Sequence, residues 1–226
     1  SRIQYTAITM AGGRFDEVLE SADAIIAIEP ENAAAHRFRG QALLALERTG
    51  EAEEAMKRAI ELEPDNAAGH LSLAAFYQQA DRMDDAEAQV RESLEQDPTT
   101  LGYTMLAALL NADEGDDAEI EQSLRTAIKM ALVVDEDGEK GQDLTAAYQN
   151  LSAFYFDRER PEEAVAVLEE GIANVEIGKN DLNDVLVRYY RTEGETEKVD
   201  RVLERATTFD SSDPGPAEIV TSGLCG

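Results

Sequence analysis

Residues 28–34 read IEPENAA, and residues 62–68 read LEPDNAA, 34 positions further along the chain. A more divergent third copy, QDPTT, occupies residues 96–100, so that proline recurs at positions 30, 64 and 98. Proline cannot occupy the interior of a helix, and the Asn or Thr that follows it is a preferred helix N-cap. Each copy therefore predicts the end of one helix and the start of the next.

The residues between the prolines have the spacing of amphipathic helices. Leu71, Ala74 and Tyr77 lie on one face of a first helix, and Ala86 and Val90 lie on one face of a second. Each 34-residue stretch is therefore predicted to form two antiparallel helices. Since one helix pair buries only a single face, neighbouring pairs have to stack to complete a core, which predicts an all-α solenoid.

This pattern resembles the tetratricopeptide repeat (TPR). In that family the first helix carries a large residue, Leu, Gly or Ala, and Tyr, the second helix carries two small residues, and Pro closes the repeat. The matching positions in the second repeat are Gly40, Leu43, Ala52, Ala59 and Pro64. In the third repeat they are Leu73, Ala74, Tyr77, Ala86, Ser93 and Pro98. The resemblance implies an α-solenoid, a right-handed superhelix of about six helix-turn-helix repeats.

The repeats divide the sequence into successive segments and a tail. The expected segments are residues 1–32, 33–66, 67–100, 101–144, 145–179 and 180–210. The fourth segment exceeds the common period by about ten residues, which predicts an insertion near 133–142. Residues 211–226 begin SSDPGP, which cannot continue a helix and indicates a Pro/Gly linker and tail.

The charge of the chain excludes two classes of partner. There are 20 basic and 48 acidic residues, which gives a formal net charge of −28. A surface this negative repels phosphate groups, so neither nucleic acid nor an anionic lipid surface is an expected partner. No stretch reaches the roughly 18 consecutive apolar residues of a membrane span, so we expect no membrane insertion. The sequence leaves the compartment open between cytoplasm and periplasm.

No arrangement of residues indicates catalysis, and we expect neither an enzyme nor a bound cofactor. His36 and His70 occupy the same position in consecutive repeats, which is open to two interpretations. They could form a paired metal or proton-relay site, or they could replace the large packing residue of that position. Packing is favoured, because zinc needs three or four converging ligands, and the sequence has no third His and only the distant Cys225.

In the TPR family the first helices line a concave groove that binds partner segments, and the resemblance implies which positions face it here. They are Arg37, Gln41, Leu71, Ala75, Gln78, Met105, Leu109, Gln149, Phe156 and Arg188. The apolar middle of this set would accept an amphipathic helix or an extended apolar segment. The alternative is that several of these side chains pack between helices. Some relatives clamp a terminal carboxylate with basic residues, but Arg37 alone is basic at the matching positions, so that mode is not expected.

The sequence thus predicts a non-enzymatic scaffold or adaptor that binds a segment of a partner protein. A net charge of −28 favours a segment with a basic flank. With 5 Lys against 15 Arg, the same acidity also fits a protein kept soluble in concentrated salt, which would say nothing about a partner. Two other functions stay open. One is a regulatory or docking domain of a larger enzyme or envelope assembly for polysaccharide export or secretion, and the other is a self-assembling scaffold, a homo-oligomer.

Overall fold

Polar caps follow the repeated prolines and begin the first helices. The side-chain oxygen of Asn32 accepts the backbone N–H of Ala35 at 3.0 Å, and that of Asn66 accepts the N–H of Gly69 at 3.1 Å. Thr99 plays the same part, since its hydroxyl oxygen accepts a backbone N–H at 3.1 Å. Each cap satisfies one of the backbone donors that a helix start leaves open, which confirms the helix starts that the sequence predicted.

The computed structural model describes residues 13–133, 143–175 and 178–210, with side chains up to residue 206. Residues 134–142 of the expected insertion and the expected tail at 211–226 lie outside the described residues. Over the described ranges the chain forms eleven helices and no strand. They are α1 (Phe15–Ile26), α2 (Ala33–Ala45), α3 (Thr49–Leu62), α4 (Ala67–Gln79), α5 (Met83–Gln96), α6 (Thr100–Ala112), α7 (Asp117–Ala131), α8 (Leu144–Asp157), α9 (Pro161–Asn174), α10 (Lys179–Thr192) and α11 (Thr196–Asp210).

The helices pair in chain order within two compact units. In the N-terminal unit, residues 1–133, α1 packs against α2, and α2–α3, α4–α5 and α6–α7 form successive helical hairpins. In the C-terminal unit, residues 134–226, the hairpins are α8–α9 and α10–α11. Within each unit the second helix of one hairpin contacts the first helix of the next, as α3 contacts α4 and α9 contacts α10. This stacking is that of an all-α solenoid, as the repeats predicted.

Small residues allow the helices of these hairpins to approach closely. The small second-helix positions of the repeat are buried, at Ala52, Ala59, Ala86, Ser93, Ala164 and Gly171. A β-carbon at Gly40 would lie 2.5 Å from Cγ of Met56, and one at Gly171 would lie 2.8 Å from Cγ of Tyr148. A larger side chain at either glycine would therefore push the two helices of its hairpin apart.

The turn inside each hairpin contains one residue with a left-handed backbone. The φ angles are 60° at Glu47, 57° at Asp81, 53° at Glu114, 55° at Glu159 and 73° at Gly194. The backbone N–H of the next residue donates to a carbonyl five residues earlier, as Arg82 does to Tyr77 at 2.9 Å. This bond ends the first helix and reverses the chain.

The two histidines form hydrogen bonds at the junctions between neighbouring repeats. Nε2 of His36 donates to the backbone carbonyl of Pro30 at 2.9 Å, and Nε2 of His70 donates to that of Pro64 at 2.9 Å. Nδ1 of His70 also lies 2.9 Å from Oε1 of Gln89. Their common position in the repeat therefore reflects a shared structural contact with the closing proline.

Candidate partner-binding groove

The first helices of the N-terminal unit present a row of accessible side chains at equivalent positions. Five of the predicted groove residues, Arg37, Gln41, Leu71, Ala75 and Gln78, are partly or fully exposed. Nε2 of Gln41 on α2 donates to the hydroxyl of Ser72 on α4 at 3.2 Å. This bond joins α2 to α4, and we call the row of accessible positions on α2, α4 and α6 the wall.

The structure corrects one predicted groove residue. Leu109 is only 1% exposed and packs in the core of the N-terminal unit, so it does not face the groove. Its equivalent on α4 is the buried Phe76. The alternative that some of these side chains pack between helices is therefore right at this position.

A shorter junction explains the error. One residue, Asp65, lies between Pro64 and the cap Asn66, whereas the cap Thr99 directly follows Pro98. The helix α6 therefore begins one residue early relative to the 34-residue period, and one residue rotates a helical position by about 100°. The positions of α6 equivalent to the groove residues of α4 are Thr104, Ala108 and Asn111, all at least partly exposed. Met105 is partly exposed and takes the place of Ser72 beside them.

Acidic residues are absent from this wall. The helices α2, α4 and α6 contain no Asp, Glu or Lys, and their arginines are Arg37 and Arg39. The second helices α3, α5 and α7 carry carboxylates at Glu51, Glu53, Glu54, Glu61, Asp84, Asp85, Glu87, Glu92, Glu95, Asp117, Glu119 and Glu121. In the N-terminal unit the carboxylates therefore lie on α1, on the second helices and on the turns. This segregation is readable in the sequence once the first helices are known, and the sequence reasoning missed it.

One of these carboxylates joins neighbouring repeats. Oε1 of Glu53 on α3 accepts from Lys57 at 2.8 Å, from Arg82 at 3.0 Å and from the Tyr77 hydroxyl at 3.3 Å. The Arg82 guanidinium also stacks 4.2 Å from the centre of the Tyr77 ring. The hydrogen bond from Lys57, followed by that from Arg82, lowers the pKa of Glu53. The cluster joins α3 to the start of α5.

The C-terminal unit places the remaining predicted residues on α8 and α10. Gln149 and Phe156 are partly exposed, and Arg188 is exposed. The Phe156 ring lies 5.0 Å from the ring of Tyr189 on α10, which brings the first helices of this unit together. Desolvation raises the pKa of the Tyr189 phenol.

Nothing in the described residues resembles a metal centre or a membrane anchor. No three His, Cys, Asp or Glu side chains converge there, and both histidines are engaged with backbone carbonyls. None of the described helices combines the length and the hydrophobicity that crossing a bilayer requires.

Sequence models of the tetratricopeptide repeat match residues 10–67 and 43–110, which include the hairpins α2–α3 and α4–α5. Residues 10–110 of this chain are tetratricopeptide repeats. The family match explains the closing prolines, the buried small residues and the paired helices. No curated protein matches the TPR chain at a significant level.

Several solved structures share this TPR fold. PilF of Pseudomonas aeruginosa is 11% identical, with a TM-score of 0.65 over 95% of this chain and 91% of its own. MamA of Desulfovibrio magneticus RS-1 is 13% identical, with a TM-score of 0.59 over 76% of this chain and 92% of its own. YrrB, described as a TPR protein with an unusual peptide-binding site, is 17% identical, with a TM-score of 0.53 over 76% and 84%. At these identities the likeness shows the fold.

Proposed function

We propose that this TPR protein is a non-catalytic scaffold whose N-terminal unit holds a segment of a partner protein along α2, α4 and α6. The observation that carries the proposal is the acid-free wall on these helices, in a chain with a net charge of −28. TPR proteins are in general interaction modules, which supports the same conclusion. A wall kept free of carboxylates suits the burial of an apolar partner surface, since a buried unpaired charge is costly.

The wall favours a segment with one apolar face. Leu71 and Met105 supply apolar contact, and Ala75 and Ala108 leave room for a backbone to approach. An amphipathic helix or an extended segment would bury this surface. We place the basic flank of the segment against the turns between repeats, where two neighbouring clefts are lined by Glu29, Glu31, Glu63, Asp65 and Asp97.

Capture of partners by groove variants tests the proposal. Ala75→Arg with Ala108→Arg places two large cations on the wall, at a partly exposed and an exposed position, so the fold should survive while the partner is lost. Ala88→Arg with Ala118→Arg makes the same change at exposed positions of α5 and α7 and serves as the matched control. We expect one partner, identified by mass spectrometry, to be captured by wild type and control and lost from the groove variant. Equal capture by both variants at equal melting temperature would contradict the proposal.

The basic flank is tested separately by salt. If the flank contacts the carboxylates of the turns, the affinity for the captured partner falls as salt rises, because exposed charge pairs are screened. Glu63→Gln, which lies in both clefts, should reduce this salt dependence. An affinity that does not change with salt would remove the flank from the proposal and leave the apolar contact in place.

A further inference from the structure

The arginines of the second helices and turns are mostly paired with carboxylates of the chain. Arg58 contacts Glu61 at 2.8 Å, and Arg125 contacts Glu121 at 3.0 Å. Similar ion pairs join Arg48 to Glu51, Arg82 to Asp85, Arg91 to Glu119 and Arg160 to Glu163. Since the chain has 48 acidic residues, such pairing is the expected state of an exposed arginine.

Arg188 and Arg191 on the first helix α10 differ from these. Both are exposed, and neither side chain forms an ion pair or a hydrogen bond with any residue in the described ranges. Asp184, one turn before Arg188, is also exposed and does not pair with it. Positions three apart on a helix have β-carbons about 5–6 Å apart, so the two guanidinium groups can converge on one carboxylate.

An aromatic surface adjoins these arginines. Phe156 on α8 and Arg191 on α10 each lie three residues before the left-handed residue of their turn, Glu159 and Gly194, so they occupy equivalent positions on adjacent first helices. The Phe156 ring packs 5.0 Å from the ring of Tyr189 on α10. Both aromatic side chains are partly exposed. The surface therefore joins a cationic pair to an apolar patch, and guanidinium groups in such a setting bind carboxylates in a fixed, bidentate geometry.

We infer that this surface, made of Phe156, Tyr189, Arg188 and Arg191, binds an acidic side chain of a protein segment next to an apolar side chain. The inference rests on the proposal that the first helices bind partner segments, and it adds the chemistry of the contact in the C-terminal unit. The net charge of −28 disfavours an acidic segment at long range, so the preference has to come from contact with the two arginines.

Selection of peptides on the full chain tests this inference. A random peptide library displayed on phage is selected at about 0.15 M salt, where charges further than about 8 Å apart are largely screened. The baits are wild type, Arg188→Gln with Arg191→Gln, and the matched control Arg58→Gln with Arg125→Gln, which removes the same charge from second helices. Peptides selected on wild type and control should be rich in Asp and Glu next to an apolar residue. Peptides selected on the Arg188→Gln, Arg191→Gln variant should lack this enrichment.

Affinities of the selected peptides complete the test. Replacing the enriched Glu of a selected peptide by Gln should weaken its binding to wild type about tenfold, the effect of one charge-assisted contact. The same replacement should not change binding to the Arg188→Gln, Arg191→Gln variant. Peptides that bind the groove wall without acidic enrichment would overturn this inference and leave the proposed function standing. If no peptides are selected on any bait, both are overturned.

Discussion

Gly171 on α9 lies so close to Tyr148 on α8 that a β-carbon would sit 2.8 Å from Cγ of the ring. It would also sit 2.8 Å from Cδ1 of Leu182 on α10. Because glycine has no β-carbon, it allows α9 to pack closely against α8 of its own hairpin and against α10 of the next hairpin. The equivalent residues in other repeats, Ala59 and Ser93, are also small and buried.

Gly171→Ala is therefore expected to lower the free energy of unfolding by about 1–3 kcal/mol through overpacking. Gly50→Ala is the matched control, because a β-carbon there meets no atom within 4 Å and Gly50 lies in α3. The control should be stabilised by about 0.5 kcal/mol, since Ala is the better helix former. Urea denaturation measures the free energy of unfolding of both variants. A change of the same sign in the two variants would contradict this packing.

Backbone strain at the hairpin turns gives a second prediction. Gly194 has a φ of 73° and open space around its α-carbon, so Gly194→Ala should cost about 1 kcal/mol from the backbone alone. Glu159 has a φ of 55°, and Glu159→Gly should raise the free energy of unfolding by about 0.5 kcal/mol. Glycine relieves the backbone strain of the folded state, and this gain exceeds the loss from the greater conformational freedom of the unfolded chain. Denaturation midpoints at constant m-value would show the two opposite shifts.

Acid should weaken the junction at Glu53. Because its pKa is lowered below the ordinary value of 4.5, the ionised carboxylate stabilises the folded state above that pH. This contribution is lost as pH falls through the lower pKa of the folded protein. We expect Glu53→Gln to be less stable than wild type near neutral pH and to lose less stability on acidification. Glu54→Gln, on the same helix, controls for the loss of one charge, and identical pH profiles for wild type and Glu53→Gln would contradict the role of the ion pairs.

Salt distinguishes the two explanations of the acidity. Repulsion among the carboxylates of the second helices is screened over about 10 Å at 0.1 M salt and over about 3 Å at 1 M. If the acidity serves partner binding, the melting temperature should rise at low salt and then level off. A steep rise that continues to molar salt would instead favour adaptation to a high-salt habitat.

Much of the fold was predictable because its signals are local. Proline at 30, 64 and 98 excludes helix, and an Asn or Thr cap next to it restarts one, so the junctions follow from short-range chemistry. The groove residues were harder to predict, because which side chains of a helix face the groove depends on the rotation of that helix about its axis. The absence of one residue between Pro98 and Thr99 turned Leu109 into the core. Left-handed turns at acidic residues such as Glu47 and Asp81 lack the glycine that would have marked them.

Photocrosslinking from defined positions tests most directly whether the acid-free wall holds a partner. A benzoylphenylalanine in place of exposed Gln78 on α4 is compared with one in place of exposed Glu92 on α5. Groove binding predicts a covalent adduct with one partner from position 78 and none from position 92. An adduct from position 92 alone, at equal folding of both variants, would contradict the proposed function.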